Sequence, residues 1–131
     1  MTLISMTDKG LYCSIGKFYI DPYRGVETAL ITHAHADHAK PGSENYITNT
    51  LGIPILKKRL GSMINIQGLD YGELKEINDV KISLHPAGHI LGSSQVRLEF
   101  ENEVVVITGD YKRNSDPTCR GFESMRCDTL I

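Results

Sequence analysis

Two features that would set a chain apart from ordinary globular proteins are missing from this 131-residue sequence. The longest strongly apolar run, Val104–Ile107, falls far short of the ~20 residues that a membrane-spanning helix needs. The 14 basic and 16 acidic residues nearly balance, and a net charge of -2 excludes a uniformly basic nucleic-acid coat, though not a local basic patch. We therefore expect one globular domain over residues 1–131 and no membrane partner.

Cysteine is also scarce, with only Cys13, Cys119 and Cys127 along the chain. Their number is odd, CxxC is absent, and the segment Met1–Gly10 lacks the apolar core of a secretory signal. These observations argue against a disulfide framework and against a zinc knuckle. We expect three reduced thiols in a cytoplasmic protein.

The second half of the sequence contains its clearest strand patterns. Val80–Leu84 and Gln95–Phe100 alternate between apolar and polar residues, and Val104–Ile107 is continuously apolar. The Glu101-Asn102 pair between the last two predicts a tight hairpin turn. A further strand is predicted over Cys127–Ile131, and the chain ends inside it.

The first half predicts more strands and one helix. Its four candidate strands are Leu11–Ile15, Lys17–Ile20, Thr28–Thr32 and Tyr46–Thr48. The apolar run in the third of these predicts a strand that is buried on both faces. A helix capped by Asn49 or Thr50 is expected to reach Leu60 and to end at Gly61, although Gly52 and Pro54 weaken its first turn. The whole pattern predicts a mixed α+β fold, mostly β with short helices.

The segment His33-Ala34-His35-Ala36-Asp37-His38 is the dominant chemical feature. It places four candidate metal ligands within six residues, directly after a predicted buried strand. Imidazole and carboxylate groups suit zinc, manganese or iron. In a turn after a strand, residues 33 and 35 can point one way and residues 37 and 38 another, which would serve two metal ions. A solvated histidine-rich turn is the less favoured alternative.

Two later residues extend this set of candidates. His89 lies in a glycine-flanked loop after a strand, where functional groups are often displayed. Asp110 follows the strand Val104–Ile107 directly, which is a good position for a metal ligand. Taken alone, His89 could be a structural histidine and Asp110 could form an Asx-turn or cap a helix.

Together these residues resemble the metallo-β-lactamase superfamily, whose HxHxDH signature is complete at residues 33–38. Asp21 matches the family's aspartate at the end of the second strand, and His89 and Asp110 match its third and fourth motifs. The resemblance implies the N-terminal half of an αββα sandwich. It also implies that His33, His35 and His89 bind a first metal ion, that Asp37 and His38 bind a second, and that Asp110 bridges them.

A narrower resemblance concerns the nuclease branch that carries an inserted β-CASP domain and includes mRNA 3′-end processing enzymes. Pro86–Ser93 and Thr108–Lys112 are similar to that branch. Residues 116–119, 122–123 and 126–129 look most like bacterial DNA-ligase-associated exonucleases. Such proteins are longer, so we expect this chain to be a truncated form that lacks the second half and the β-CASP insertion.

The resemblance implies a metal-dependent nuclease with two divalent ions, zinc being expected and manganese or iron being alternatives. Asp37 would also orient the attacking water, and Asp21 would support the ligand loop. Lys112 and Arg113 are candidates for contacts with the phosphate backbone. The expected substrate is DNA, in a role linked to repair and to a DNA ligase. An RNA-processing nuclease, another hydrolase on this fold such as a thioester or lactone hydrolase, and an inactive metal-binding fragment remain alternatives.

Overall fold

A computed structural model describes residues 3–131 and shows two β-sheets packed face to face. The first sheet contains β1 (Ile4–Thr7), β2 (Gly10–Cys13), β3 (Phe18–Ile20), β4 (Thr28–Leu30), β5 (Asn45–Asn49) and β6 (Ile66–Leu69), in that spatial order. The pairs from β1 to β3 are antiparallel, and those from β3 to β6 are parallel. Parallel neighbours bring the carboxyl ends of β4, β5 and β6 to one edge of the sheet.

The second sheet is mostly antiparallel. Its members are β7 (Lys75–Ile77), β8 (Val80–Pro86), β9 (Ser94–Phe100), β10 (Glu103–Ile107) and β11 (Thr129–Leu130), in the spatial order β11-β10-β9-β8-β7. Only the β10–β11 pair is parallel. The predicted hairpin turn between β9 and β10 is confirmed, since Glu101 and Asn102 both adopt the positive φ (47° and 68°) that such a turn requires.

The main core lies between the two sheets. From β8, Val80, Ile82 and Leu84 are all fully buried there, as their alternation predicted. The strand β4 is buried on both faces: Leu30 packs into this core, whereas its neighbour Ala29 belongs to a second apolar cluster. That second cluster includes Leu56 of the helix α1 (Ile53–Leu60) and lies on the other face of the first sheet.

The helix begins later than predicted. A 3₁₀ turn occupies Thr50–Gly52, and α1 runs over Ile53–Leu60 to the predicted stop at Gly61. Pro54 has no N–H to donate to the carbonyl of Thr50, which accepts from the N–H of Ile53 instead, so the first turn is tighter than an α-helix. Asn49 caps this 3₁₀ turn, and its side chain accepts from the N–H of Leu51 at 3.0 Å.

Four of the eight predicted strands are shortened or displaced in the structure, and the other four extend by one or two residues. Leu11–Ile15 is replaced by Gly10–Cys13, and Lys17–Ile20 starts at Phe18 because Lys17 lies in a turn with a φ of 60°. Thr28–Thr32 ends at Leu30, and Cys127–Ile131 contracts to Thr129–Leu130. The strands β1, β6 and β7 were not predicted. All three lie at sheet edges, where strands are short and need no continuous apolar face.

The mixed, mostly β fold with a short helix is confirmed as the N-terminal half of a metallo-β-lactamase-like sandwich. Within residues 3–131, no helix is long and apolar enough to cross a membrane. Cys13 is a buried free thiol, and Cys119 and Cys127 are half-buried free thiols.

Candidate metal centre

Six side chains gather where loops from the two sheets meet. The first group contains His33, His35, His89 and Asp110, and the second contains Asp37, His38 and Asp110. Within each group, one ligand atom from every residue lies within 4.8 Å of the others. The structure therefore brings together all six residues that the sequence predicted as ligands, and Asp110 is shared by both groups.

Both sheets contribute to this cluster. The segment 33–38 follows β4 of the first sheet, whereas His89 follows β8 and Asp110 follows β10 of the second. Gly109 has a φ of 58°, and a Cβ there would lie only 2.9 Å from the side chain of Thr32. This close approach, which only glycine permits, sets Asp110 Oδ2 at 3.6 Å from His33 Nε2.

His33 is the most deeply buried member of the cluster. Burial, together with the charges of the neighbouring histidines, lowers the pKa of His33 to about 4, so the imidazole is neutral near pH 7. Among residues 3–131, its Nε2 is the only buried side-chain nitrogen or oxygen atom without a hydrogen-bond partner. Leaving such an atom unpaired is costly. A neutral imidazole nitrogen that points into a cluster of other donors is suited to binding a divalent metal ion.

The other members of the first group lie closer to solvent. His89 Nε2 is 3.3 Å from His35 Nδ1 and 3.8 Å from Asp110 Oδ2. The loop of His89 is held by Ser93, whose Oγ accepts from the N–H groups of His89 and Ile90 at 3.0 and 3.2 Å. These contacts fix the backbone on which His89 is carried.

The second group is the more open one. His38 Nε2 lies 3.4 Å from Asp37 Oδ2 and 3.3 Å from Asp110 Oδ2. The side chain of Asp37 is 75% exposed and that of Asp110 is 50% exposed. A substrate can therefore reach this side of the cluster from solvent.

Asp21 connects the two groups through hydrogen bonds on the side away from the ligand atoms. Its carboxylate accepts from the N–H of Thr32 at 2.8 Å and from the Thr32 hydroxyl at 2.6 Å, and it lies 2.7 Å from His38 Nδ1. The Thr32 hydroxyl lies in turn 3.0 Å from His33 Nδ1. Because that hydroxyl donates to Asp21, it accepts from Nδ1–H of His33, which leaves Nε2 of both histidines facing the cluster.

This buried contact also shifts proton affinities. Burial raises the pKa of the Asp21 carboxyl, and hydrogen bonds from His38 and Thr32 oppose that shift. The hydrogen bond to Asp21 raises the pKa of His38, with burial of the ring acting in the opposite direction. The donor set of four imidazoles and two carboxylates, with an unpaired nitrogen at its buried end, fits the divalent ions predicted from the sequence.

Other residues predicted from the sequence lie outside the two ligand groups. Lys112 and Arg113 are exposed two and three residues after Asp110, with the N–H of Lys112 bonded to the carbonyl of Ala87 at 2.9 Å. The Lys112 ammonium lies 3.3 Å from Asp116. His85, the remaining histidine of the chain, also lies outside the two groups and contacts Ser83 Oγ and Glu123 at 2.8 and 3.0 Å.

Sequence reasoning missed Thr32 and Ser93 as supporting residues. Thr32 directly precedes the ligand segment, but its contact with Asp21 depends on the pairing of β3 with β4. A local signal did exist for Ser93, because a serine side chain can bond to backbone groups three or four residues before it.

Comparison with known proteins found relatives for parts of the chain, although no family model matches it. A probable DNA ligase of Opitutus terrae is 30% identical over 114 residues, which is 82% of this chain and 11% of that protein. The transcription termination factor FttA of Thermococcus kodakarensis is 53% identical over 48% of the chain and 10% of its own length. RNase aCSPSF2 of Saccharolobus solfataricus is 45% identical over 65% of the chain and 23% of its own length.

The chain thus spans less than a quarter of the length of each of these relatives. A solved structure, a protein of unknown function from Enterococcus faecalis V583, superposes with a TM-score of 0.55 at 17% identity. The superposition covers 66% of this chain and 25% of that one, and it supports the fold alone.

We expect the chain to bind two divalent ions, because the two groups are distinct and share only Asp110. Asp37→Ala should leave about one ion per chain, since it removes a ligand from the second group alone. Asp110→Ala should weaken both sites. Metal analysis after dialysis against zinc measures the number of ions per chain. Glu76→Ala, at an exposed position of β7, is the control. Equal ratios in the wild type and in Asp37→Ala would contradict two separate sites.

The second expected outcome concerns Asp21→Asn. In the metal-free protein, loss of the carboxylate should lower the pKa of His38, because its hydrogen bond and charge stabilise the imidazolium. In the wild type, this interaction stabilises the folded protein. The stabilisation is fully present below the pKa of an unfolded-chain histidine and is lost as the pH rises through the raised pKa of His38. An NMR titration of the imidazole resonances measures this. Asp8→Asn, at an exposed ion pair with Arg24, is the control, and an unchanged His38 pKa in Asp21→Asn would refute the assignment.

Proposed function

The chain belongs to the metallo-β-lactamase superfamily, in the branch of the β-CASP nucleases, and from this premise we propose that it forms the metal-binding part of a nuclease that hydrolyses phosphodiester bonds. The observation that carries the proposal is the pair of ligand groups that share Asp110 and open to solvent on the side of Asp37. Two divalent ions held there would supply positive charge for a phosphodiester group and would make an attacking water more acidic.

The residues of this chain have separable roles in that reaction. The rings of His33 and His38 are held by the Asp21–Thr32 network, so their Nε2 atoms stay in fixed positions. Asp37 is the most exposed carboxylate of the cluster. Its Oδ2 would orient an attacking water and accept a proton from it. Asp110 Oδ2 faces both groups at 3.3 to 3.8 Å and would keep the two ions at a constant separation.

Lys112 and Arg113 would bind the phosphate backbone beside the cluster. The hydrogen bond from Lys112 N–H to the carbonyl of Ala87 ties the backbone of their segment to the end of β8, two and three residues after Asp110. Both residues are exposed. Lys112 is partly engaged by Asp116, which leaves Arg113 as the freer cation and the better test of this role.

We propose DNA as the substrate and a functional link to a DNA ligase. The support is the relative named a probable DNA ligase, which matches 82% of the chain. RNA is the second candidate, because the relative named an RNase is more similar in sequence, at 45% identity. Another hydrolase on this fold and a metal-binding fragment without turnover remain as outcomes of the test below.

The proposal is tested with end-labelled single-stranded DNA, double-stranded DNA and RNA, together with thioester and lactone substrates, in the presence of zinc or manganese. We expect cleavage of a nucleic acid, and Asp110→Ala should abolish it while Glu76→Ala retains it. Turnover of the small esters with every nucleic acid intact would refute the nuclease. Full metal loading without turnover of any substrate would favour the metal-binding fragment.

A salt series tests the phosphate contact separately. Arg113→Ala should weaken binding of the preferred nucleic acid. The negative slope of log K against log salt concentration should become shallower by about 1, because one counterion-releasing contact is lost. Binding is followed by fluorescence anisotropy with a labelled oligonucleotide. Lys58→Ala, an exposed cation on α1, is the control. A slope equal to that of the wild type would place Arg113 outside the binding surface.

A further inference from the structure

Arg59 makes a contact with the ligand segment that the metal chemistry does not require. The residue lies in the last turn of α1. Its Nη1 donates to the carbonyl of Ala34 at 2.8 Å and to the carbonyl of Ala39 at 3.3 Å. Since Ala34 follows His33 and Ala39 follows His38, one guanidinium group joins the two ends of the segment that carries four of the six candidate ligands.

The same helix also packs beneath this segment. The side chains of Ala34 and Ala39 are buried in the second apolar cluster together with Leu56, which lies one turn before Arg59 on α1. The ligand segment itself is a tight turn, with the N–H groups of His38 and Ala39 both bonded to the carbonyl of His35. Arg59 thus acts on the backbone of the turn, whereas Asp21 acts on its imidazole rings.

Neighbouring cations on α1 do not share this arrangement. All three residues are exposed, but within residues 3–131 neither the Lys57 nor the Lys58 side chain forms a hydrogen bond or ion pair. A basic residue in the last helical turn is favourable on general grounds because of the helix dipole, and all three residues meet that condition. Only Arg59 reaches the ligand segment, so its contact is not a consequence of helix position alone.

We propose that Arg59 is a positioning residue for metal binding, which sets the spacing between the ligands of the first group and those of the second. His33 and His35 lie before the middle of the bridged turn, and Asp37 and His38 lie after it. A change in the distance between the carbonyls of Ala34 and Ala39 therefore moves the two pairs relative to each other. This role concerns metal binding and does not depend on whether the substrate is a nucleic acid.

The test replaces Arg59 by Met, which keeps much of the apolar stem and removes every donor. Arg59→Lys is the conservative variant, and Lys58→Met is the matched control for loss of a charge in the same helical turn. Cobalt is used as the probe ion. Dissociation constants for both sites are measured by competition with a chromophoric chelator, together with the visible spectrum of bound cobalt and the unfolding midpoint of the metal-free protein.

We expect Arg59→Met to raise both dissociation constants by about 10- to 100-fold, the usual effect of removing a partner that orients metal ligands. The cobalt spectrum should change because the ligand geometry changes. Arg59→Lys should recover part of the affinity, since its ammonium can donate to a carbonyl, and Lys58→Met should match the wild type. If Arg59→Met does not fold, Arg59→Gln takes its place, because the glutamine side chain is too short to join the two carbonyls.

Wild-type dissociation constants in the folded variant, with a lower unfolding midpoint, would show that the contact serves stability alone and would overturn the proposal. Failure of lysine to recover any affinity would also overturn it. An unaltered cobalt spectrum alongside weaker binding would separate a charge effect from positioning and would likewise count against this role.

Discussion

The candidate centre depends on one buried carboxylate. Asp21 is placed by the end of β3 with a positive φ of 46°, and it receives hydrogen bonds from both the backbone and the hydroxyl of Thr32. Through Thr32 it orients His33, and directly it orients His38. One residue thus fixes the ring nitrogens that face both ligand groups. Burial of its charge is unfavourable in itself, and these hydrogen bonds offset part of that cost.

The arrangement also explains why the cluster lies between loops rather than on one strand. The first sheet supplies the segment 33–38, and the second sheet supplies His89 and Asp110. The hydrogen bond from Ser94 N–H to the carbonyl of Thr32 and the tight contact of Gly109 with Thr32 hold these loops together. The positions of the ligands therefore follow from the packing of the two sheets. Because the ligands lie on loops, Asp37 and Asp110 still reach solvent.

The sequence was sufficient to predict the parts of the structure that have a strong local pattern. The alternation in β8 and β9, the turn at Glu101 and Asn102 and the doubly buried β4 were predicted because each is specified by neighbouring residues. The edge strands β1, β6 and β7 were not predicted, since short edge strands carry little periodicity. The six candidate ligands could also be predicted, because histidine and aspartate at these spacings match the motifs of the metallo-β-lactamase superfamily.

Contacts across the fold were beyond such reasoning. The Lys57-Lys58-Arg59 run has the pattern of a solvated helix face, and nothing local separates Arg59 from its two neighbours. The difference arises only when α1 packs under the loop after β4 and brings Ala34 and Ala39 within reach. The supporting role of Thr32 is hidden for the same reason.

The tethering of the segment after β4 has a thermodynamic consequence for any ligand of this centre. Ordering the backbone of one residue costs about 1–2 kcal/mol of conformational entropy, and a free loop would lose that entropy at the moment of binding. Here the contacts of Asp21 and Arg59 are made within the protein, so the loss occurs once, when the chain folds. A flexible peptide with the same six ligand side chains would bind more weakly for that reason alone.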